Sequence, residues 1–123
     1  MIESGWRGAL GRAVAVGTAL QVAMVLIGHW VAAVAALFAV LGMAISFLAG
    51  WLAASWALQR GKQAALNGAI AGGLCALLGI VLSFVLGDVT AAVIGFGTLS
   101  SAVTGALGGL AGGTLRKNVE VRI

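Results

Sequence analysis

The chain has 123 residues, of which 62% are apolar and only 8% charged, with a formal net charge of +4. A soluble domain carries about 25% charged residues, so this composition excludes a water-facing surface of ordinary kind and points to lipid as the solvent. The basic excess does not indicate nucleic acid, because the few Lys and Arg residues flank long apolar runs instead of forming a stripe interleaved with aromatic side chains.

A membrane-spanning helix needs about 20 mostly apolar residues. Four such runs follow one another: Arg12–Trp30, Ala33–Leu58, Ala64–Leu86 and Val89–Leu115. The first two cannot form one helix. At 1.5 Å per residue, Arg12 to Leu58 would extend about 70 Å, more than twice the hydrocarbon thickness. The turn is expected around His29, Trp30 and Val31, which supply the only polar and amphipathic punctuation there. Between the second and third runs stands the clearest loop, Gln59-Arg60-Gly61-Lys62-Gln63. Gly87-Asp88 separates the third from the fourth, since Gly-Asp favours a turn and a carboxylate is costly in hydrocarbon. The tail Arg116–Ile123 is expected to be a frayed end held near lipid headgroups by its basic residues. A cleavable leader, with Arg7 and Arg12 ahead of the apolar stretch Ala13–Gly28, is the competing reading of the first run.

The fold expected is therefore all-α, a four-transmembrane-helix bundle forming a single integral membrane domain over residues 1–123. The 7 basic residues all fall on one side of it: Arg7, Arg12, Arg60, Lys62, Arg116, Lys117 and Arg122. The positive-inside rule makes that side cytoplasmic and places both termini there. Trp6, Trp51 and Trp56 near that side, and Trp30 opposite, suit the interfacial belts where tryptophan collects. The localisation implied is a cell membrane, of the bacterial inner or plasma membrane type.

Small residues recur every fourth position in each run. They are Ala9, Ala13, Gly17 and then Gln21 in the first; Gly42, Ser46, Gly50 and Ala54 in the second; Ala64, Gly68, Gly72 and Ala76 in the third; and Gly97, Ser101, Gly105, Gly109 and Gly113 in the fourth. A shift of 55 residues superposes these stripes, Gly17 on Gly72, Gly42 on Gly97, Ser46 on Ser101 and Gly50 on Gly105. The chain thus reads as two pseudo-repeated helical hairpins. Residues four apart lie near one helix face, and small ones let backbones approach closely, which is how helices associate when lipid removes the hydrophobic drive. Packing within the chain is the first use expected of the stripes; a homo-oligomer or membrane-protein interface over Gly97–Gly113 is the second.

Polar residues at depth are few. Gln21, Ser46 and Ser101 fall near the middle of their spans, at matching depth, and suit either interhelical hydrogen bonding or a small polar cavity. His29 and Asp88 are expected together at the outer face, where their pairing would give a proton-sensitive contact between hairpins. The single cysteine, Cys75, lies in an apolar run without a metal-ligand cluster. No nucleophile–base set, cofactor motif or metal site is legible, so an enzyme is not expected.

With its Ala69-Ile70-Ala71-Gly72-Gly73 and Gly108-Gly109-Leu110-Ala111-Gly112-Gly113 segments, the chain resembles the small four-helix membrane proteins of bacteria. It lacks the Thr-Thr-Phe-Ser motif of the small fluoride channels and the intramembrane glutamate of the small multidrug exporters. The expected function is that of an accessory or structural subunit acting through helix–helix association, with the lipid bilayer as its surroundings and no nucleic acid. The alternative is a small pore or transporter for a neutral or small solute.

Overall fold

The computed structural model describes residues 2–33, 37–57 and 61–122, with side chains over 8–33, 37–38, 40–57 and 61–113. The side chains of Trp6, Arg7, Arg60, Arg116, Lys117 and Arg122, on which part of the expected sidedness rests, lie outside the described residues.

Among the described residues four long helices follow in chain order: α1 (Ile2–Trp30), α2 (Phe38–Ala57), α3 (Gly61–Val85) and α4 (Ala91–Arg122). Each contains a stretch long and apolar enough to cross a bilayer, Gly8–Trp30, Val40–Ala57, Gly61–Val85 and Ala91–Gly113. The chain is a multi-pass membrane protein. Glycine inside a helix costs about 1 kcal/mol in water. In hydrocarbon each unpaired backbone group costs several times that, so glycine-rich stretches stay helical when lipid is the solvent.

Three boundaries differ from those expected by five residues or more. α1 begins ten residues early, at Ile2, and the long helix α2 is described from Phe38, while residues 32–33, at the expected start, are also helical and 34–36 lie outside the described residues. α4 runs on to Arg122 where a frayed tail was expected. With no proline anywhere in the chain, nothing between Leu115 and Arg122 removes a helical hydrogen bond.

The α3–α4 turn has a clear local cause. Gly87 adopts φ +83°, a left-handed conformation open to glycine at little cost. Its N–H donates to Phe84 O at 3.0 Å and the Asp88 N–H donates to Ser83 O at 2.9 Å. That pair of bonds is the Schellman ending, which satisfies carbonyls a helix end would otherwise orphan. Gly61 makes the corresponding departure at the start of α3, with φ +59°.

The bundle is a rhombus in section. α2 and α3 pack against each other across the centre, α1 lies in the groove on one side, and α4 lies in the groove on the other. Among the described residues α1 and α4 do not pack together. We call the end holding Trp30 and the Gly87 turn the upper end, and the end holding Ala57 and Gly61 the lower end.

Residue sizes are inverted relative to a soluble domain. The interior consists mainly of Ala9, Ala13, Ala49, Ala53, Ala54, Ala64, Ala71 and Ala76 with glycines, Ser46 and Cys75. The large side chains face outward, Leu66, Leu99, Val103 and Leu107 among them. Lipid accepts such a surface without penalty, and the helices gain by close approach instead of by burying bulk. Near the lower end the Arg12 guanidinium lies 5.5 Å from the centre of the Trp56 ring, a cation–π arrangement suited to an interfacial depth.

Candidate functional site

The small residues divide into a closed lower seam and an open upper cleft. In the seam, α4 meets α2 and α3 through backbone. A Cβ added at Gly105 would collide with the Gly68 carbonyl and lie 2.9 Å from Gly72 Cα. One at Gly50 or Gly68 would strike the Gly105 carbonyl, and one at Gly109 the Ala64 carbonyl. One at Gly72 would lie 2.8 Å from both Gly105 Cα and Ser101 O. Gly113, further down α4, is buried as well. Gly17 of α1 is buried against α2 and α3, where a Cβ would come 3.0 Å from Ala49 Cβ and 2.9 Å from Cys75 Sγ.

Two stripe members behave differently. A Cβ at Gly42 would meet only Gln21 Oε1 at 3.7 Å and Met24 Cε at 3.9 Å, which is ordinary contact. At Gly97 the nearest neighbour is the flexible end of Ile80. Neither glycine touches the backbone of another helix: Gly42 faces side chains of α1 and Gly97 the Ile80 side chain of α3, whereas α2 and α4 meet elsewhere. They touch at Phe47–Gly108 and Trp51–Gly112 lower down. Gly108 and Gly112 thus form a second row of small residues, facing α2, that the four-residue spacing alone did not single out.

Toward the upper end a cleft of about 280 Å³ opens, lined by all four helices. Its inner wall is buried and partly polar: Gln21, Ser83 and Ser101, with Ala76 and Gly79 between. Its rim is apolar and more exposed, formed by Met43 on α2 and by Val93 and Phe96 on α4, the last 76% exposed. None of the lining residues is charged. The volume is just under the roughly 300 Å³ at which small-molecule pockets begin.

Gln21 forms the floor. It is 2% exposed, and its Nε2 donates to Gly42 O at 3.2 Å and to Ser46 Oγ at 3.5 Å. Ser46 Oγ in turn donates to Gly72 O at 3.3 Å. The chain of bonds ties α1 to α2 and α2 to α3 at the level where the seam gives way to the cleft. Gln21 Cβ also lies 2.8 Å from where a Cβ on Gly79 would stand, so glycine at 79 admits the glutamine. Ser101 lines the same cleft as Gln21, but no hydrogen bond joins it to Gln21 or Ser46 among the described residues.

Two buried polar side chains were not anticipated. Asn67, 3% exposed, donates from Nδ2 to Ala53 O at 3.3 Å and links α3 to α2 near the lower end. An amide within an apolar run was the signal available for it. The hydroxyl of Ser83, a residue 2% exposed, makes no hydrogen bond to any described residue. A buried hydroxyl without a partner costs about 1–3 kcal/mol.

At the upper end His29 Nδ1 lies 2.9 Å from Asp88 Oδ2 and 3.2 Å from Oδ1. The Schellman ending aims Asp88 at the last turn of α1, and His29 stacks edge-on with Trp30 at 5.3 Å between ring centres. Both side chains of the pair remain partly exposed. An ion pair in that setting contributes about 0–1 kcal/mol, so it fixes the position of the α3–α4 turn more than it stabilises the bundle.

Comparison of the chain with protein families, with curated proteins and with solved structures finds no match.

Proposed function

We propose that the protein is a non-catalytic subunit of a cell membrane, of the bacterial plasma membrane type, acting through helix–helix association as an accessory or structural component. The supporting observation is the lower seam. Backbone meets backbone at Gly50, Gly68, Gly72, Gly105 and Gly109, so the bundle is closed there to any solute. These stripes are occupied within the chain, so a protein partner or second copy would meet the apolar outer face instead. The two hairpins, α1–α2 and α3–α4, are then pseudo-equivalent units with both termini and the 58–63 link in the cytoplasm.

A pore or transporter for a neutral or small solute is the second reading, favoured by the polar wall of the upper cleft. Osmotic shrinkage of reconstituted vesicles separates the two. The expected result is a water and glycerol permeability equal to that of protein-free vesicles. A glycerol flux above that background, lost in a folded Gln21→Leu variant, would put the pore reading first.

Orientation has its own test. Lys62 is exposed at the start of α3. A Lys62→Cys variant, with Cys75 buried and out of reach, should resist a membrane-impermeant maleimide applied to intact cells and react after lysis. Labelling of intact cells would reverse the topology.

A further inference from the structure

We propose that the upper cleft is a binding site for a small neutral amphiphile that enters from the bilayer: a mostly apolar molecule of about ten heavy atoms, as interior packing density allows, carrying one hydroxyl or carbonyl group. This goes beyond the subunit reading and does not depend on it.

Four observations converge. The cleft holds about 280 Å³. Its lining contains no charged side chain, which disfavours an ion or a charged headgroup, since a charge brought there would be unpaired. Its rim lies between the upper halves of α2 and α4, where Met43 and Phe96 are exposed on a surface that faces lipid tails. The route in is therefore lateral, from hydrocarbon. Ser83 is part of the inner wall and its hydroxyl has no partner, so a turn of its side chain toward the cleft would let a ligand hydroxyl or carbonyl satisfy it. Its own helix places it one turn below the Gly87–Asp88 ending, and the Asp88 N–H bonds to its carbonyl at 2.9 Å. That is the level at which an amphiphile keeps its polar end. Met24 and Met43, unbranched and adaptable, suit an apolar body of variable shape.

The probe is decanol carrying a diazirine, photolysed in vesicles containing the intact protein, with labelled residues mapped by peptide mass. Labelling at Met43, Val93 and Phe96 should saturate and be displaced by excess plain decanol. Labelling at the lipid-facing Leu66 and Leu107 should rise linearly and resist displacement. Ser83→Ala should weaken the saturable component about fivefold, the worth of one net hydrogen bond. Val93→Trp, which fills the rim from an exposed position, should abolish it. Ser83→Ala removes one oxygen and adds no bulk, so it keeps the test available if the tryptophan variant does not fold. A diazirine-bearing decane without the hydroxyl distinguishes a recognised amphiphile from a lipid tail resting in a gap. Equal saturable labelling by the decane, or labelling that is linear at every site, or a saturable component unchanged in Ser83→Ala, would overturn the proposal.

Discussion

Gly105→Leu should yield no correctly folded protein. Gly105 is the point at which α4 touches α2 and α3 together, with Gly50, Gly68 and Gly72 supplying the opposing backbone. Overpacking an ordinary core costs about 1–3 kcal/mol because neighbouring side chains can change rotamer. Here the obstacles are main-chain carbonyl and Cα atoms, which move only if a whole helix moves. The cost should exceed that range, and α4 should separate from the bundle. Gly109→Leu, facing the Ala64 carbonyl, should fail in the same way. Leu107→Ala, at a side chain 55% exposed to lipid, should leave expression, elution profile and thermal melting nearly unchanged. Size-exclusion chromatography after mild detergent extraction makes the comparison. A Gly105→Leu protein that elutes and melts like the parent would show that the seam does not exist.

Gln21→Leu should lower stability by about 1–3 kcal/mol, the sum of two interhelical hydrogen bonds in a membrane setting. Leucine is close in volume, so the loss reads the amide and not a void. Ser46 keeps its bond to Gly72 O, and α2 should remain joined to α3, whereas α1 loses its polar tie to α2. The expected pattern is a shift of the denaturation midpoint in mixed micelles with helix content preserved. Ser46→Ala should show non-additivity with Gln21→Leu, because the two side chains share a bond at 3.5 Å. Full additivity, or an unshifted midpoint in Gln21→Leu, would mean the amide is solvated in the cleft and not engaged with α2.

Much of the fold was legible from runs of apolar residues. Their lengths forced four crossings, and Gly87-Asp88 marked its turn because each residue carries its own reason to stop a helix. The α1–α2 break falls at Val31, within the expected turn, whereas the start of the long second helix was not legible. Between Trp30 and Phe38 every residue is apolar, so nothing local states where the second helix resumes. The extended α4 was missed for the opposite reason. Polarity after Leu115 suggested an end, but polarity ends a span and not a helix.

The stripes were legible as spacing, and their consequence only in part. Gly50, Gly68, Gly72, Gly105 and Gly109 are at close crossings, whereas Gly42 and Gly97, in the same registers, are not. Spacing determines which face a residue occupies. The tilt between helices determines how deep along that face the backbones still touch, and tilt belongs to the assembled bundle. The place and extent of the cleft could not be read from sequence for this reason, although Gln21 and Ser101, two of its lining residues, were legible as candidates for a small polar cavity. Ser83, whose unpaired hydroxyl distinguishes that cleft, looks like any serine near a helix end until its surroundings are known.

A seam specified by missing side chains has a one-way relationship with mutation. No amino acid is smaller than glycine, so every replacement at Gly105 or Gly68 adds atoms and none can tighten the joint. The lipid-facing positions work the other way, since Leu66, Val103 or Leu107 can be exchanged among apolar types with little consequence. Change in this protein should therefore accumulate on its large residues while the smallest ones stand still. That reverses the usual expectation that bulky core positions are the ones a fold guards.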